Sequence, residues 1–199
     1  ISPPTFLLDN EDLIRSHINS LVLEVIEEKL FGKINQILDI NPEQNSYPVY
    51  ESYLDDLEAA VAANKTAIIS AVKSAFSREL ASEDSYDWFA EDVIESHVNG
   101  FVQRFDEAFD PWRQEYARLY RQRRRLSKKA DVERLSYHES RERDAIEQRM
   151  DDMREGGQRF NTYQYLRSQG FLPNFGFPRS NCTLSFQTRK DDIPRDESR

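Results

Sequence analysis

The chain has 199 residues and a net charge of −9, with 38% hydrophobic, 12% aromatic and 32% charged residues. That is enough apolar material for one folded domain or two small ones, and too much for a disordered chain. From a mean hydropathy of −0.77, no apolar run near 18 residues and no charged-then-apolar leader, neither a membrane-spanning helix nor a signal peptide is expected.

The single cysteine, Cys182, excludes an internal disulfide framework and a cysteine-rich zinc site. The expectation is a soluble cytoplasmic protein with no membrane partner. A start at Ile1 rather than methionine is expected of an excised piece or a processed product.

Helical periodicity dominates the first part of the chain. A first helix is predicted from Asn10, an N-cap with Glu11 and Asp12 in the first turn, and Gly32 is expected to end it. Its inner face is Leu13/Ile14, His17/Ile18, Leu21/Val22 and Val25. An apolar turn over residues 34–38 and a loop over residues 41–48 follow. A second helix is predicted over residues 51–63 on Tyr53/Leu54, Leu57 and Val61, and a third starts at Asn64 with Ile68, Ala71/Val72 and Ala75/Phe76. Beyond a polar stretch at 82–85, Trp88/Phe89, Val93, Val98, Phe101/Val102, Phe105 and Phe109 mark a long amphipathic helix, the richest apolar stripe in the chain.

Asp110-Pro111 then reads as an N-cap with proline at the first helical position, opening a segment that runs to Gly156-Gly157. Unbroken, it would extend roughly 65 to 70 Å at 1.5 Å per residue. Its stripe of Trp112, Tyr116, Leu119/Tyr120, Leu126 and Ala130 is interrupted at Arg123 and Glu133, and the phase shifts toward Leu135, Ile146, Met150 and Met153. This speaks against a long dimeric coiled coil. It favours an arm folded back on the preceding helix, whose aromatic face covers the broken stripe.

A short helix capped by Asn161 and ended by Gly170 leads into an aromatic run, Phe171, Phe175 and Phe177, punctuated by Pro173, Gly176 and Pro178. Such a run is too apolar for a free tail and needs a surface to dock on. Residues 182–187, CTLSFQ, alternate like one strand whose sheet partner is expected elsewhere, and residues 188–199 are polar enough to fray. The expected fold class is mainly α, a multi-helix bundle with a long charged arm and a short C-terminal strand. Its parts are an acidic bundle (1–110), a charged helix or helical arm (111–157), and an aromatic, proline-punctuated segment with one strand and a polar tail (158–199).

Charge is distributed unevenly. Residues 1–110 hold 7 Lys and Arg against 22 Asp and Glu, whereas residues 111–129 hold 8 against 1. The acidic part would repel phosphates, so a nucleic-acid contact is expected on the basic run or the C-terminal part. Arg118, Arg121, Arg125 and Lys128 recur at three-to-four spacing and line one helix face, flanked by Arg123, Arg124 and Lys129, with Tyr116 and Tyr120 nearby. That geometry suits a phosphate backbone. The competing reading is a solvated face paired with the acidic helices.

Catalytic patterns are missing from the sequence. The only Gly-Lys pair, Gly32-Lys33, is followed by Ile34 and is no phosphate-cradling loop. Asp106-Glu107-Ala108-Phe109 matches a DEAD box superficially, but it continues a helical stripe with Phe105 and Phe109 inward. His17, His97 and His138 lie on separate segments without ligand-spaced partners, so neither a catalytic nor a metal site is expected. His17 reads as a buried, hydrogen-bonded imidazole.

Two stretches carry a family resemblance. Tyr165 to Arg179, YLRSQGFLPNFGFPR, resembles the segment after the motor core of large bacterial superfamily 2 helicases, DEAD/DEAH-type proteins with a DUF1998-like C-terminal region that include those of DISARM phage defence. Pro3-Pro4 with Leu7 to Leu23, LLDNEDLIRSHINSLVL, is similar to the stretch following their second RecA-like domain. Ser20 and Val22 depart from the small residue and Trp that the family tends to carry after the histidine.

The resemblance implies a non-catalytic accessory region of an ATP-dependent DNA helicase or translocase, coupling the motor to DNA or a partner subunit. Asn10, His17, Phe171, Pro173, Phe177, Pro178 and Arg179 would then be its motif and docking residues. ATP and magnesium would bind only in the parent. The partners implied are the rest of the helicase, DNA, and a subunit of a defence complex. The alternative is a helical protein-protein interaction module without a nucleic-acid role.

Overall fold

The computed structural model describes residues 11–30, 32–41, 46–77, 90–156 and 161–174. They are mainly helical: α1 (Glu11–Val25), a 3-10 turn (Ile34–Gln36), α2 (Glu51–Ala75), α3 (Glu91–Asn99), α4 (Phe101–Glu107), α5 (Asp110–Ala130), α6 (Tyr137–Glu155) and α7 (Thr162–Ser168). The expected strand at 182–187, the tail, Asn10, Trp88, Phe89, Phe175, Phe177, Pro178 and Arg179 lie outside the described residues.

α1 is an interior helix. Ile14, Ile18 and Val22 are buried along one side, and Ser16, His17, Asn19 and Leu23 are buried around the rest, the pattern of a helix enclosed by neighbours. It packs against α2 and α3. Its end is not Gly32. The helix stops at Val25, and Glu27 takes the left-handed position (φ 55°). The Glu28 amide donates to the Leu23 carbonyl (3.0 Å) and the Glu27 amide to the Glu24 carbonyl (3.2 Å), a Schellman closure on a glutamate rather than a glycine. The chain then turns through Ile34–Gln36 into a single antiparallel bridge between Leu38 and Val49.

α2 is one helix of 25 residues, where the sequence suggested two meeting at Asn64. The side chain of Asn64 donates to the Ala60 carbonyl at 2.9 Å within the helix instead of capping a new one. Leu57, Val61, Ile68 and Val72 are buried along one uninterrupted face, so burial outweighs the weak helix propensity of asparagine.

The stripe from Val93 to Phe109 is likewise two helices, α3 and α4, divided at Gly100. A side-chain carbon there would come within 2.6 Å of the Arg104 guanidinium, which lies against this backbone. Val98, Phe101, Phe105 and Phe109 are buried, as the periodicity predicts, whereas Val93 is only half-buried and its neighbour Ile94 takes the inward position.

The basic segment breaks as well. α5 ends at Ala130, residues 131–136 turn, and α6 returns antiparallel to pack on α5. The phase shift in the stripe marks this turn. Ser136 supplies a capping box with Glu139: its hydroxyl accepts from the Glu139 amide (3.2 Å), while the Glu139 carboxylate accepts from the Ser136 amide (2.9 Å). The arm folds on itself, and α7 with its following turn covers the aromatic face of α4. Phe171 lies 5.6 Å from Phe101 and 5.7 Å from Phe105, and Tyr165 stacks on Phe109 at 5.7 Å between ring centres.

Candidate functional site

The two stretches singled out in the sequence meet in space. Asn161 caps α7 by accepting from the Gln164 amide at 3.0 Å. Gly170, at φ 74°, closes the helix, with the Phe171 amide donating to the Leu166 carbonyl at 3.0 Å. This closure directs Phe171 and Leu172 into the core, 6% and 2% exposed. Asn19 of α1 donates to the Phe171 carbonyl at 3.0 Å, a buried contact between residues 152 positions apart. Its own carbonyl oxygen accepts from Arg104 at 3.2 Å, and Arg104 also donates to the His97 carbonyl at 2.5 Å. Burial first, and the nearby Arg15 second, hold the Arg104 guanidinium down at about 10.

Asn19 and Arg104 are the polar residues that lock the C-terminal segment to α1. Neither stands out in the sequence, where one is an asparagine in a helix and the other a lone arginine in an acidic region. Pro173 is half-buried just past this junction. His17 is buried next to the locked face, and desolvation holds its imidazole down at about 4. His97 is lowered by burial, then by Arg104 and Arg15. His138 is on α6, so the three histidines sit on three different helices, and no group of three metal-ligating side chains gathers among the described residues.

A second polar junction sits where α4 meets α5. The Tyr165 hydroxyl accepts from the Trp112 amide and donates to the Ala108 carbonyl, each at 3.1 Å. It satisfies one of the open amides at the start of α5, and burial raises it to about 12. The Trp112 indole donates to the Met153 carbonyl at 3.2 Å, tying the end of α6 back to the start of α5. Asp106, from the DEAD-like quartet, is ion-paired with Arg113, while Phe105 and Phe109 are buried and Glu107 is exposed.

The eight cations of residues 111–129 divide by face. Arg113 turns inward, donating to the Tyr47 and Asp106 carbonyls at 3.0 Å each and to Asp110 at 2.7 Å. Arg118 forms a two-pronged pair with Glu115, both contacts at 2.8 Å. Arg123 lies 5.5 Å from the Tyr120 ring centre. Lys129 reaches across the turn to Glu139 (2.6 Å) and back to Glu133 (3.4 Å). These contacts raise the lysine and hold the Glu139 carboxyl at about 2, chiefly through Lys129 and then the Ser136 amide and hydroxyl.

Arg121, Arg124, Arg125 and Lys128 remain. All four are exposed, and none has a carboxylate in ion-pair reach among the described residues. At 3.6 residues per turn the row of Arg118, Arg121, Arg125 and Lys128 points roughly opposite to Trp112, Tyr116, Leu119 and Leu126, the residues α5 buries. The face exists as the spacing predicts. Among the described residues the carboxylates of the acidic part of the chain reach α5 cations only through Asp106 and Asp110, and both pair with Arg113, which lies off this row.

Comparison with protein-family models, curated proteins and solved structures finds no match to the chain. No helix among the described residues is long and apolar enough to cross a membrane.

Proposed function

We propose that this chain is a non-catalytic accessory domain of an ATP-dependent DNA helicase or translocase, and that the outer face of α5 follows a phosphate backbone. The observation that carries the reading is the set of exposed cations Arg121, Arg124, Arg125 and Lys128 on the outside of a helical hairpin, without a carboxylate partner among the described residues. Exposed cations spaced along one face release counterions when they meet phosphates, a gain that salt titration reads directly. The helicase context draws on the resemblance of residues 7–23 and 165–179. The buried contact from Asn19 to Phe171 supports treating these stretches as one unit. ATP and magnesium belong to the parent motor, as does a role in phage defence.

The test is DNA titration over a range of salt with a variant carrying Arg121→Glu, Arg124→Glu, Arg125→Glu and Lys128→Glu. Affinity is expected to fall alike for all sequences, and the slope of log K against log salt to flatten by about 0.9 per lost phosphate contact. Unchanged DNA affinity with an unchanged melt refutes the reading. It would favour the second one, a helical interaction module, for which the observation is the exposed row Glu51, Asp55, Asp56 and Glu58 on α2, unpaired among the described residues.

A further inference from the structure

The turn of the α5–α6 hairpin presents two apolar side chains to solvent. Val132 is 88% exposed and Tyr137 is 74% exposed, the most exposed large hydrophobics among the described residues. The backbone that carries them is firmly held. Ser136 and Glu139 cap α6 reciprocally, and Lys129 bonds both Glu139 at 2.6 Å and Glu133 at 3.4 Å, closing the turn from the α5 side. Tyr137 is therefore the first residue of a capped helix, with its ring outward. The Arg141 guanidinium lies 5.7 Å from the ring centre, and His138 approaches edge-on at 6.3 Å. With three quarters of the residue in solvent, the ring remains open on the side away from Arg141.

The surrounding charge identifies what such a ring can meet. Between residues 128 and 141, Lys129 is shared by Glu133 and Glu139, which leaves that trio one negative charge in excess, and the segment as a whole, four cations against three acids, has a net charge of +1. Lys128, Arg134 and Arg141 have no carboxylate partner among the described residues, against the one unpaired acid Asp131. An apolar protein surface would gain little from three unpaired cations, whereas a nucleic acid offers phosphates to the cations and π faces to the ring. Within a duplex those faces are already stacked, so a side chain can stack only on an unpaired or terminal base.

We propose that the hairpin tip binds unpaired nucleotides, with Tyr137 stacking on a base and Lys128, Arg134 and Arg141 contacting the adjoining phosphates. This deepens the phosphate-backbone reading of α5 and rests on it: the α5 face supplies affinity for any strand, and the tip supplies a preference for single-stranded segments.

The test uses the full chain with two probes, a single-stranded oligonucleotide carrying 2-aminopurine and a relaxed closed-circular duplex, which has no terminal base. Tyr137→Ala should weaken single-strand binding about ten-fold and abolish the change in 2-aminopurine fluorescence. It should leave duplex affinity, the salt slope and the melting temperature unchanged. Tyr137→Phe should restore both single-strand signals. If Tyr137→Ala binds the single strand as tightly as the parent while the α5 charge reversal still weakens it, the stacking role is overturned and the phosphate reading stands. Equal losses on both probes also overturn the stacking role. Failure of the unaltered chain to bind either probe overturns both.

Discussion

The two ends of the α5–α6 hairpin are built on opposite principles. At its base, Trp112 stacks on Tyr116 at 4.7 Å, Tyr47 meets both rings edge-on, and the Trp112 backbone and indole amides bond to Tyr165 and Met153. The buried phenylalanines of α4 and Phe171 continue this packing. Toward the tip, the buried apolar residues thin to Leu126 on α5 and Ile146 on α6, and every hydrogen bond or ion pair recorded for α5 beyond Arg123 stays within the hairpin or its turn. Stability is concentrated where aromatic rings interlock, and unpaired charge is concentrated where little is packed. On the function proposed above, a surface that exchanges partners with a polyanion could then change without disturbing the core.

The comparison breaks most visibly if stability is not where the rings are. Phe105 is fully buried and touches Phe101, Phe109, Phe171 and Tyr53. Phe105→Ala should lower unfolding stability by about 3 to 5 kcal/mol, read from urea melts. A double Arg121→Ala/Arg125→Ala change at the outer end should stay within about 0.5 kcal/mol. Comparable losses at the two ends would show that the hairpin tip is a structural element, and would weaken its assignment as a contact surface.

Acid should separate the buried core around α1 from the hairpin tip by a smaller amount. Burial holds His17 at about 4 against an ordinary 6.5, so below about pH 6.5 the unfolded chain gains a proton that the folded chain refuses. Stability is then lost as pH falls toward 4, and at pH 5 the loss relative to pH 7 is about 2 kcal/mol. His97 is shifted in the same direction. Glu139, held at about 2, keeps its charge through this window, so its contacts with Lys129 and Ser136 should not respond. His17→Gln should reduce the drop in denaturant midpoint between pH 7 and pH 5. An unchanged drop would mean that other groups govern it.

How much of this was legible follows from the range of each interaction. Mainly α architecture, the Asn161 cap, the Gly170 stop and the docking of Phe171 are written in local residue types and periodicity. The stripe of α2 also runs through Asn64 in constant phase, and weighting the residue type above the phase splits one helix into two. The unpaired row of α5 is visible as spacing, but spacing cannot say that Arg113 turns inward or that Lys129 is occupied by Glu139, because those outcomes depend on where the chain turns. The contact from Asn19 to Phe171 leaves no local signal at all, since its partners are brought together only by the finished fold.

The smallest effect concerns the stop that could not be read. Glu27 and Gly170 hold equivalent positions in two Schellman closures, at φ 55° and 74°. A side chain in the left-handed region costs about 1 to 2 kcal/mol that glycine does not incur. Glu27 is exposed and has no ion pair among the described residues, so replacing it forfeits little. Glycine also loses more backbone freedom on folding, which offsets part of the gain. Glu27→Gly should therefore raise stability by about 0.5 to 1 kcal/mol, and Gly170→Ala should lower it by about 1 kcal/mol. No heavy atom lies within 4 Å of a Cβ added at Gly170, so the second loss would come from the backbone alone. Opposite shifts in urea midpoint would place both helix ends in the cooperative unit that holds the aromatic base. A loss of stability in Glu27→Gly would show that the glutamate side chain contributes more to that end of α1 than its backbone strain costs.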